Sequence, residues 1–198
     1  MKQNIAFFDF DGTITRRDSL FLFVKFLVGH RKFYWGILIH LHILLGYLMG
    51  VLKNSYAKER LSEYFFKGYE GKEFLIECEK FLTILKTTLK DSALERLYWH
   101  KQQGDKIVLV SASFEEYLIP LCRELQIDCI GTALEVKNAK LTGRFACANC
   151  YGKEKSIRIQ NKYDLKDYAK IYAYGDSSGD KEMLALASIE NRFYKFFK

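Results

Sequence analysis

A chain of 198 residues, 49% hydrophobic and 28% charged, is long enough for one good core or for a core with a small accessory domain. A single proline and the lack of low-complexity tracts or internal repeats exclude a disordered linker. The formal net charge of +7 favours anionic partners such as phosphorylated metabolites or anionic lipid surfaces. Lysine and arginine are spread along the chain without a nucleic-acid motif, so nucleic acid is not an expected partner.

The segment IAFFDFDGTIT begins at Ile5. Ile5–Phe8 predicts a short buried strand, stopped by the Gly12-Thr13 turn. Asp9 and Asp11 follow on either side of Phe10. One buried carboxylate is costly to ionise and two together are worse, so the pair needs a compensating role. The start carries this acidic pair in place of a basic region followed by a long apolar one, so no signal peptide is expected. The five cysteines, an odd count, are then expected as reduced thiols in a cytoplasmic protein. Cys147 and Cys150 form a CxxC, but Cys122 and Cys129 stand seven apart and supply no second close pair for zinc.

From about Asp18 to Gln103 the pattern is helical, which is too long for one crossover helix. It predicts a cap over 15–90 inserted after the first strand. Asp91–Gln103, stopped by Gly104, then returns the chain to the sheet. Within the cap, Phe33–Leu52 is twenty residues without a charge, flanked by Arg31, Lys32 and Lys53. Its length would suit a membrane span. Three glycines and a central His40 and His42 favour a pair of cap helices, apolar because they are buried or because they touch a bilayer. The two histidines face apart on a helix and read as polar packing residues.

Lys106–Val110 predicts the second strand, ending at Ser111. Ser113 and Glu116 read as a capping box for a helix over Phe114–Leu125. Asp128–Leu134 predicts a third strand, and Glu135–Val136 with Leu141–Phe145 a small hairpin. Lys155–Asn161 predicts a helix and Lys170–Tyr174 a fourth strand. Asp176 and Asp180 follow in GDSSGD, where either can also cap a helix starting near Ser178. The alternation predicts an α/β fold, with a Rossmann-like, mostly parallel sheet and an inserted all-helical cap. The core domain is 1–14 with 91–198, and the cap domain is 15–90.

Asp9, Asp11, Ser111 and Asp176 therefore fall at carboxyl ends of strands, where open α/β sheets bind ligands. Clustered carboxylates suit Mg2+, which prefers oxygen ligands. One carboxylate can attack phosphorus, a second can exchange the proton, and a lysine with a hydroxyl can hold the phosphoryl oxygens.

Four segments in this order resemble the motifs of the haloacid dehalogenase superfamily: DFDGT (Asp9–Thr13), VSAS (Val110–Ser113), GKEK (Gly152–Lys155) and GDSSGD (Gly175–Asp180). The resemblance runs the length of the chain and points to the phosphoserine phosphatase-like branch, subfamily IB, with a cap of the C1 type. It implies Asp9 as nucleophile, Asp11 as general acid and base, and Lys155 as the third catalytic residue. CYGKEK matches the C-x-G-x-E-K pattern that carries the lysine last, with Lys153 as the alternative. Mg2+ would be held by Asp9, Asp11 through its carbonyl, Asp176 and Asp180. Gly12, Thr13, Ser111, Ala112, Asp18 and Lys153 would border phosphate or substrate.

The implied reaction is hydrolysis of a phosphate monoester through an aspartyl-phosphate on Asp9. A small phosphorylated metabolite, phosphoserine-like, is the first substrate class. Relatives of that branch place a glutamate nine residues after the nucleophile, where this chain has Asp18, whose other reading is a cap for a helix at Ser19. Gly179 stands where they usually carry asparagine, and the chain ends at Lys198, where they usually continue with further sheet. The DxDGT opening followed by a basic, very apolar cap also resembles bacterial phosphatidylglycerophosphatases of the C type. That makes a lipid phosphate at a membrane surface the alternative. Transfer of the phosphoryl group to an alcohol would use the same intermediate. A non-catalytic phosphate-binding protein would not need Asp9, Asp11 and Asp176 together.

Overall fold

The computed structural model describes residues 2–198. Strand β1 (Ile5–Phe8) is the centre of a five-stranded sheet. Its neighbours are β2 (Lys106–Phe114) and β6 (Ile171–Gly175), with β3 (Asp128–Thr132) beyond β2 and β7 (Arg192–Tyr194) beyond β6. All four pairings are parallel. A parallel strand covered on both faces reads as a continuous apolar run, which is what IAFF is. Ala6 and Phe8 point into one core with Phe114 and Tyr117, while Ile5 and Phe7 point into the other with Val108, Ile159 and Met183.

Between β1 and β2 lie α1 (Ser19–Ile39), α2 (Leu41–Leu48), α3 (Asn54–Phe66), α4 (Gly71–Lys86) and α5 (Asp91–Gln102). Asp18 caps α1 by accepting from the Phe21 amide. The helix breaks at Gly29, whose φ of 77° is one that glycine adopts at little cost. The cap helices do not sit apart from the sheet. Phe23, Phe66, Phe74 and Phe81 form an aromatic cluster with Tyr117, continuous with the sheet's core. Two backbone bonds pin the cap's roots together, Arg16 to the Thr88 carbonyl and Lys90 to the Ile14 carbonyl, both 2.8 Å.

After β2 come α6 (Glu115–Glu124), the antiparallel hairpin β4 (Leu134–Lys137) and β5 (Lys140–Phe145), α7 (Lys153–Lys162) and α8 (Lys181–Leu184). The hairpin lies on α3. Gly143 of β5 has a φ of 80°, and a Cβ there would come within 2.4 Å of the Glu63 Cα. The strand therefore packs backbone against helix.

Several element ends differ from expectation. The second strand runs on to Phe114, because a register shift between Val110 and Phe114 lets it continue past the irregular stretch. Ser113 is consequently a strand residue and makes no capping box. Phe114 is the N-cap of α6 without a side-chain bond, and Glu116 accepts from the Leu134 amide instead. The third strand stops at Thr132, and Leu134 belongs to the hairpin. Near Ser178 the chain first makes a 3-10 turn, capped by Ser177, before α8 begins. Strand β7, only three residues long, adds the sheet edge that sequence reasoning had not placed.

The apolar run 33–52 does form a helix pair, the end of α1 and all of α2. No helix among the described residues is long and apolar enough to cross a membrane. Burial does not account for the apolarity, since only Gly36 and Ile43 in this run are buried. His40 packs as expected, its Nδ1 2.9 Å from the Gly36 carbonyl and its ring against Tyr64. His42 is exposed.

Candidate active site

The carboxyl ends of β1, β2 and β6 converge, as a parallel sheet makes them do. Asp9 leaves β1 with its amide bonded to the Tyr174 carbonyl of β6 at 2.9 Å. Its Oδ1 accepts from Lys155 Nζ at 2.5 Å and its Oδ2 from Thr13 Oγ1 at 2.9 Å. Lys155, in the first turn of α7 and 2% exposed, also donates to Asp180 Oδ1 at 2.6 Å. Asp180 Oδ2 accepts from the Asp176 and Ser177 amides and the Ser177 hydroxyl.

Gly12 lets the loop turn tightly against β6. Its φ is 82°, and a Cβ would meet Asp176 Oδ2 at 2.3 Å. Thr13 spends its hydroxyl on Asp9 and, at 3.3 Å, on Asp176. Its side chain thus ties two acids together and is not directed at a ligand.

Asp11 points to the cap side. Its Oδ1 accepts from the Ser19 amide at 2.7 Å, and its Oδ2 from Ser113 Oγ at 2.5 Å. Ser19 Oγ in turn lies 3.0 Å from Tyr117 Oη and 3.3 Å from Ser113 Oγ. Ser113, read from sequence as a capping residue, is therefore a partner of Asp11. Ser111 is buried and accepts from the Ser113 amide at 3.0 Å, leaving its hydroxyl proton available to the cavity. The Ala112 carbonyl accepts from Lys58 Nζ and from Thr132 Oγ1. Asp18 caps α1 at the pocket's edge, and Lys153 is exposed on the outside of α7, away from the cluster that holds Lys155.

The electrostatics follow from burial and charge. Burial pushes the Asp9 carboxyl up to about 6 even though the Lys155 ammonium pulls it down. Burial, with the nearby Asp18 charge, pushes Asp11 up to about 7, against the hydrogen bonds from Ser113 and Ser19. Asp176 is raised by burial and by Asp180. Burial would also raise Asp180, but Lys155 outweighs it and holds that carboxyl below the usual range. Burial alone would lower Lys155, but Asp9 and Asp180 more than offset it, so the ammonium stays charged.

Asp9, Asp176 and Asp180 each offer a carboxylate oxygen within 4.8 Å of the others. Three acids against one ammonium leave an excess of negative charge on hard oxygen donors. That donor set fits a divalent cation such as Mg2+. The Asp11 carboxylate is not part of it, because both its oxygens are engaged on the cap side.

Asp9, Asp11, Ser111, Ser113, Lys155 and Asp180 floor a cavity of about 300 Å³. Its other wall comes from the cap: Leu20, Phe21, Leu44, Tyr47, Ala57, Lys58 and Leu61. Lys58 went unnoticed in the sequence. It is buried, and its ammonium also lies 3.4 Å from Asn149 Oδ1 and 4.1 Å from the centre of the Phe114 ring. Burial lowers it to about 8. A signal was present: Ala57, Leu61, Phe65 and Phe66 mark the apolar stripe of α3, and Lys58 falls on it.

A family model described as haloacid dehalogenase-like hydrolase matches residues 6–185. The CicA protein of Caulobacter vibrioides is 32% identical over 198 residues, covering 96% of this chain and 85% of the relative. A histidinol-phosphatase of Neisseria meningitidis is 25% identical over 209 residues, covering 94% and 88%. Among solved structures, a substrate-bound phosphoserine phosphatase superposes with a TM-score of 0.67 at 17% identity, covering 94% of this chain and 84% of that one. The mostly parallel sheet with its helices is the Rossmann-like fold of the haloacid dehalogenase-like hydrolases.

Proposed function

The chain belongs to the haloacid dehalogenase-like hydrolases, and we propose that it is a Mg2+-dependent phosphatase working through an aspartyl-phosphate on Asp9. The observation that carries this reading is the buried Asp9 carboxylate, 2.5 Å from Lys155 and clustered with Asp176 and Asp180, with Asp9, Lys155 and Asp180 lining a cavity. Asp9, Asp176 and the backbone of Asp11 would hold the ion, with Asp180 supporting them through Lys155 and the Ser177 turn. When bound, Mg2+ neutralises the acids and withdraws charge from the phosphoryl oxygens.

Asp9, with a pKa of about 6, is largely ionised at neutral pH. Its free oxygen lone pair attacks phosphorus as the bond to the leaving alcohol breaks. Asp11, with a pKa of about 7, is substantially protonated and gives its proton to that alcohol oxygen. The resulting Asp11 carboxylate takes a proton from water, whose oxygen attacks phosphorus. The Asp9–phosphorus bond breaks, inorganic phosphate leaves, and Asp11 is protonated again. Lys155 holds Asp9 in place, and the Ser111 hydroxyl donates to a phosphoryl oxygen. Gly12 and Thr13 shape the loop beside it, and Ala112 the end of β2.

We assign the core to 1–14 with 91–198 and the cap to 15–90. The cavity suits a small phosphomonoester, and the histidinol-phosphatase relative points the same way. Lys58 favours a second anionic group on the substrate, because its ammonium has carbonyl, amide and aromatic partners but no carboxylate bonded to it. Leu44 and Tyr47 in the same wall favour the second reading, a lipid phosphate with an apolar body. The protein would act in the cytoplasm, at the membrane surface under that second reading.

Phosphate release from a panel of phosphoserine, histidinol phosphate, sugar phosphates and phosphatidylglycerophosphate in detergent tests the proposal, with chelator and Asp9→Asn as controls. Release that needs Mg2+ and Asp9, with acid quench trapping phosphate on the Asp9 peptide, is expected. Release that survives Asp9→Asn would overturn the mechanism.

A further inference from the structure

We propose that the exposed face of the end of α1 and of α2 is a docking surface for an anionic lipid bilayer. Helices whose apolar residues served only the cap's interior would bury them. Here Trp35 is 61% exposed, Leu48 76%, Met49 77% and Val51 74%. Tyr34, Leu38, Ile39, Leu41 and Leu45 are exposed beside them. On α2 the side chains divide by helical angle: Leu41, Leu45 and Leu48 share the outer face, Ile43 is buried opposite, and Leu44 and Tyr47 flank the catalytic cavity. An apolar surface this continuous marks an interaction site.

Charge identifies the partner. Residues 19–58 contain no aspartate or glutamate, while Lys25, Arg31, Lys32, Lys53 and Lys58 fall within them. Arg31, Lys32 and Lys53 are exposed and bracket the apolar run at both ends. Apolar side chains framed by basic ones, with no acid to repel a phosphate headgroup, fit the interface of an anionic bilayer. The described helices do not cross it, so the contact is peripheral. It would set the cavity's cap wall, one face of α2 away, against the lipid headgroups. The docking rests on the phosphatase reading only for this last consequence, and binding is measured independently of turnover.

The test is co-sedimentation with vesicles of phosphatidylcholine, with and without phosphatidylglycerol. It is paired with emission from Trp35 in a Trp99→Phe background. Binding is expected with phosphatidylglycerol, together with a blue shift of Trp35 emission, and Asp9→Asn is expected to bind as well as wild type. Leu48→Glu with Met49→Glu should abolish sedimentation and leave hydrolysis of soluble p-nitrophenyl phosphate unchanged. Reversing Arg31 and Lys32 should cut binding by roughly fivefold or more per residue on anionic vesicles. Two results would overturn the proposal. One is no binding at any phosphatidylglycerol content. The other is self-association abolished by the Leu48 and Met49 substitutions without vesicle binding, which would assign the face to a second copy of the chain.

Discussion

The two walls of the candidate active-site cavity are built on opposite terms. On the sheet wall nearly every polar atom has a partner: Asp9 has two, Lys155 has two, Asp180 has four, and both Asp11 oxygens are engaged. On the cap wall Leu20, Phe21, Leu44, Tyr47, Ala57 and Leu61 offer shape, and Asp18, Asn54 and Lys58 add polar groups. A network of charge-assisted bonds tolerates little change, because each removed partner leaves a buried charge. An apolar wall tolerates many changes at the cost of volume. On the proposed reading, the chemistry would be concentrated in the first wall and the choice of substrate in the second. A perturbation of the sheet wall should appear in kcat and stability, and one of the cap wall in KM.

The sharpest test of that division is Asp9→Asn. The amide keeps the shape and can still meet Thr13, but it cannot attack phosphorus. Turnover should fall by about a thousandfold or more, with circular dichroism unchanged. Residual activity near wild type would move the chemistry elsewhere. Lys155→Met comes next, because it strikes the network itself. It leaves Asp9 and Asp180 buried without their cation, a loss of about 3–5 kcal/mol. The sign with pH is specific. Asp180 is held below its ordinary range chiefly against burial by Lys155. Its contribution to stability is thus present above the unfolded value and lost as pH falls through the folded one. In Lys155→Met both acids rise, so the deficit should be largest near neutrality and shrink as acid protonates them. Urea denaturation at pH 5 and pH 8 measures it, and a deficit that grows toward acid would contradict the pairing.

The same contrast explains what could be read from the sequence. The sheet wall was legible because strand ends and loops dictate it. A short apolar run such as IAFF, closed by a Gly-Thr turn, reads as a covered strand, and acids directly after it then emerge at the strand's carboxyl end. Asp9, Asp11, Ser111 and Asp176 are placed that way by the sequence alone. Which of Lys153 and Lys155 turns inward depends on where α7 begins, a matter of one helical step that spacing alone leaves open. Ser113 was misread because S-x-x-E is a local pattern, whereas the extension of β2 is set by its pairing with β3. The cap wall was less legible. Periodicity shows that 33–52 is apolar but not whether anything covers it, and exposure is decided by neighbours far away in sequence. Lys58 lies in a charged stretch, and only its place on the buried stripe of α3 marks it.

Lys58 sharpens the cap side of the comparison. Replacing it with methionine should raise KM by about tenfold for a substrate with a second anion, a loss of the size of one charge-assisted hydrogen bond, and change kcat little. Its depressed pKa of about 8 gives a further signature. Affinity should decline as pH rises past about 8, where the ammonium loses its proton. Lys58→Arg should remove that decline, since arginine stays charged. A kcat loss equal to the loss in kcat/KM would instead make Lys58 part of the chemistry.

The smallest expected effect lies where the two walls meet. Ser113 of the sheet and Ser19 of the cap both donate to Asp11, and both bonds lower its pKa against burial. A donor to a carboxylate favours the charged form, so removing it favours the proton. Ser113→Ala should therefore raise the Asp11 pKa above about 7. The general acid then stays protonated to higher pH, and the alkaline limb of kcat moves upward, by roughly one pH unit or less for a single neutral donor. Thr is the informative control, since it restores a hydroxyl and should return the limb to its place. A limb that moves down, or that Ser113→Thr leaves as shifted as Ser113→Ala, would mean that Ser113 affects turnover through packing against Tyr117 and not through the proton on Asp11.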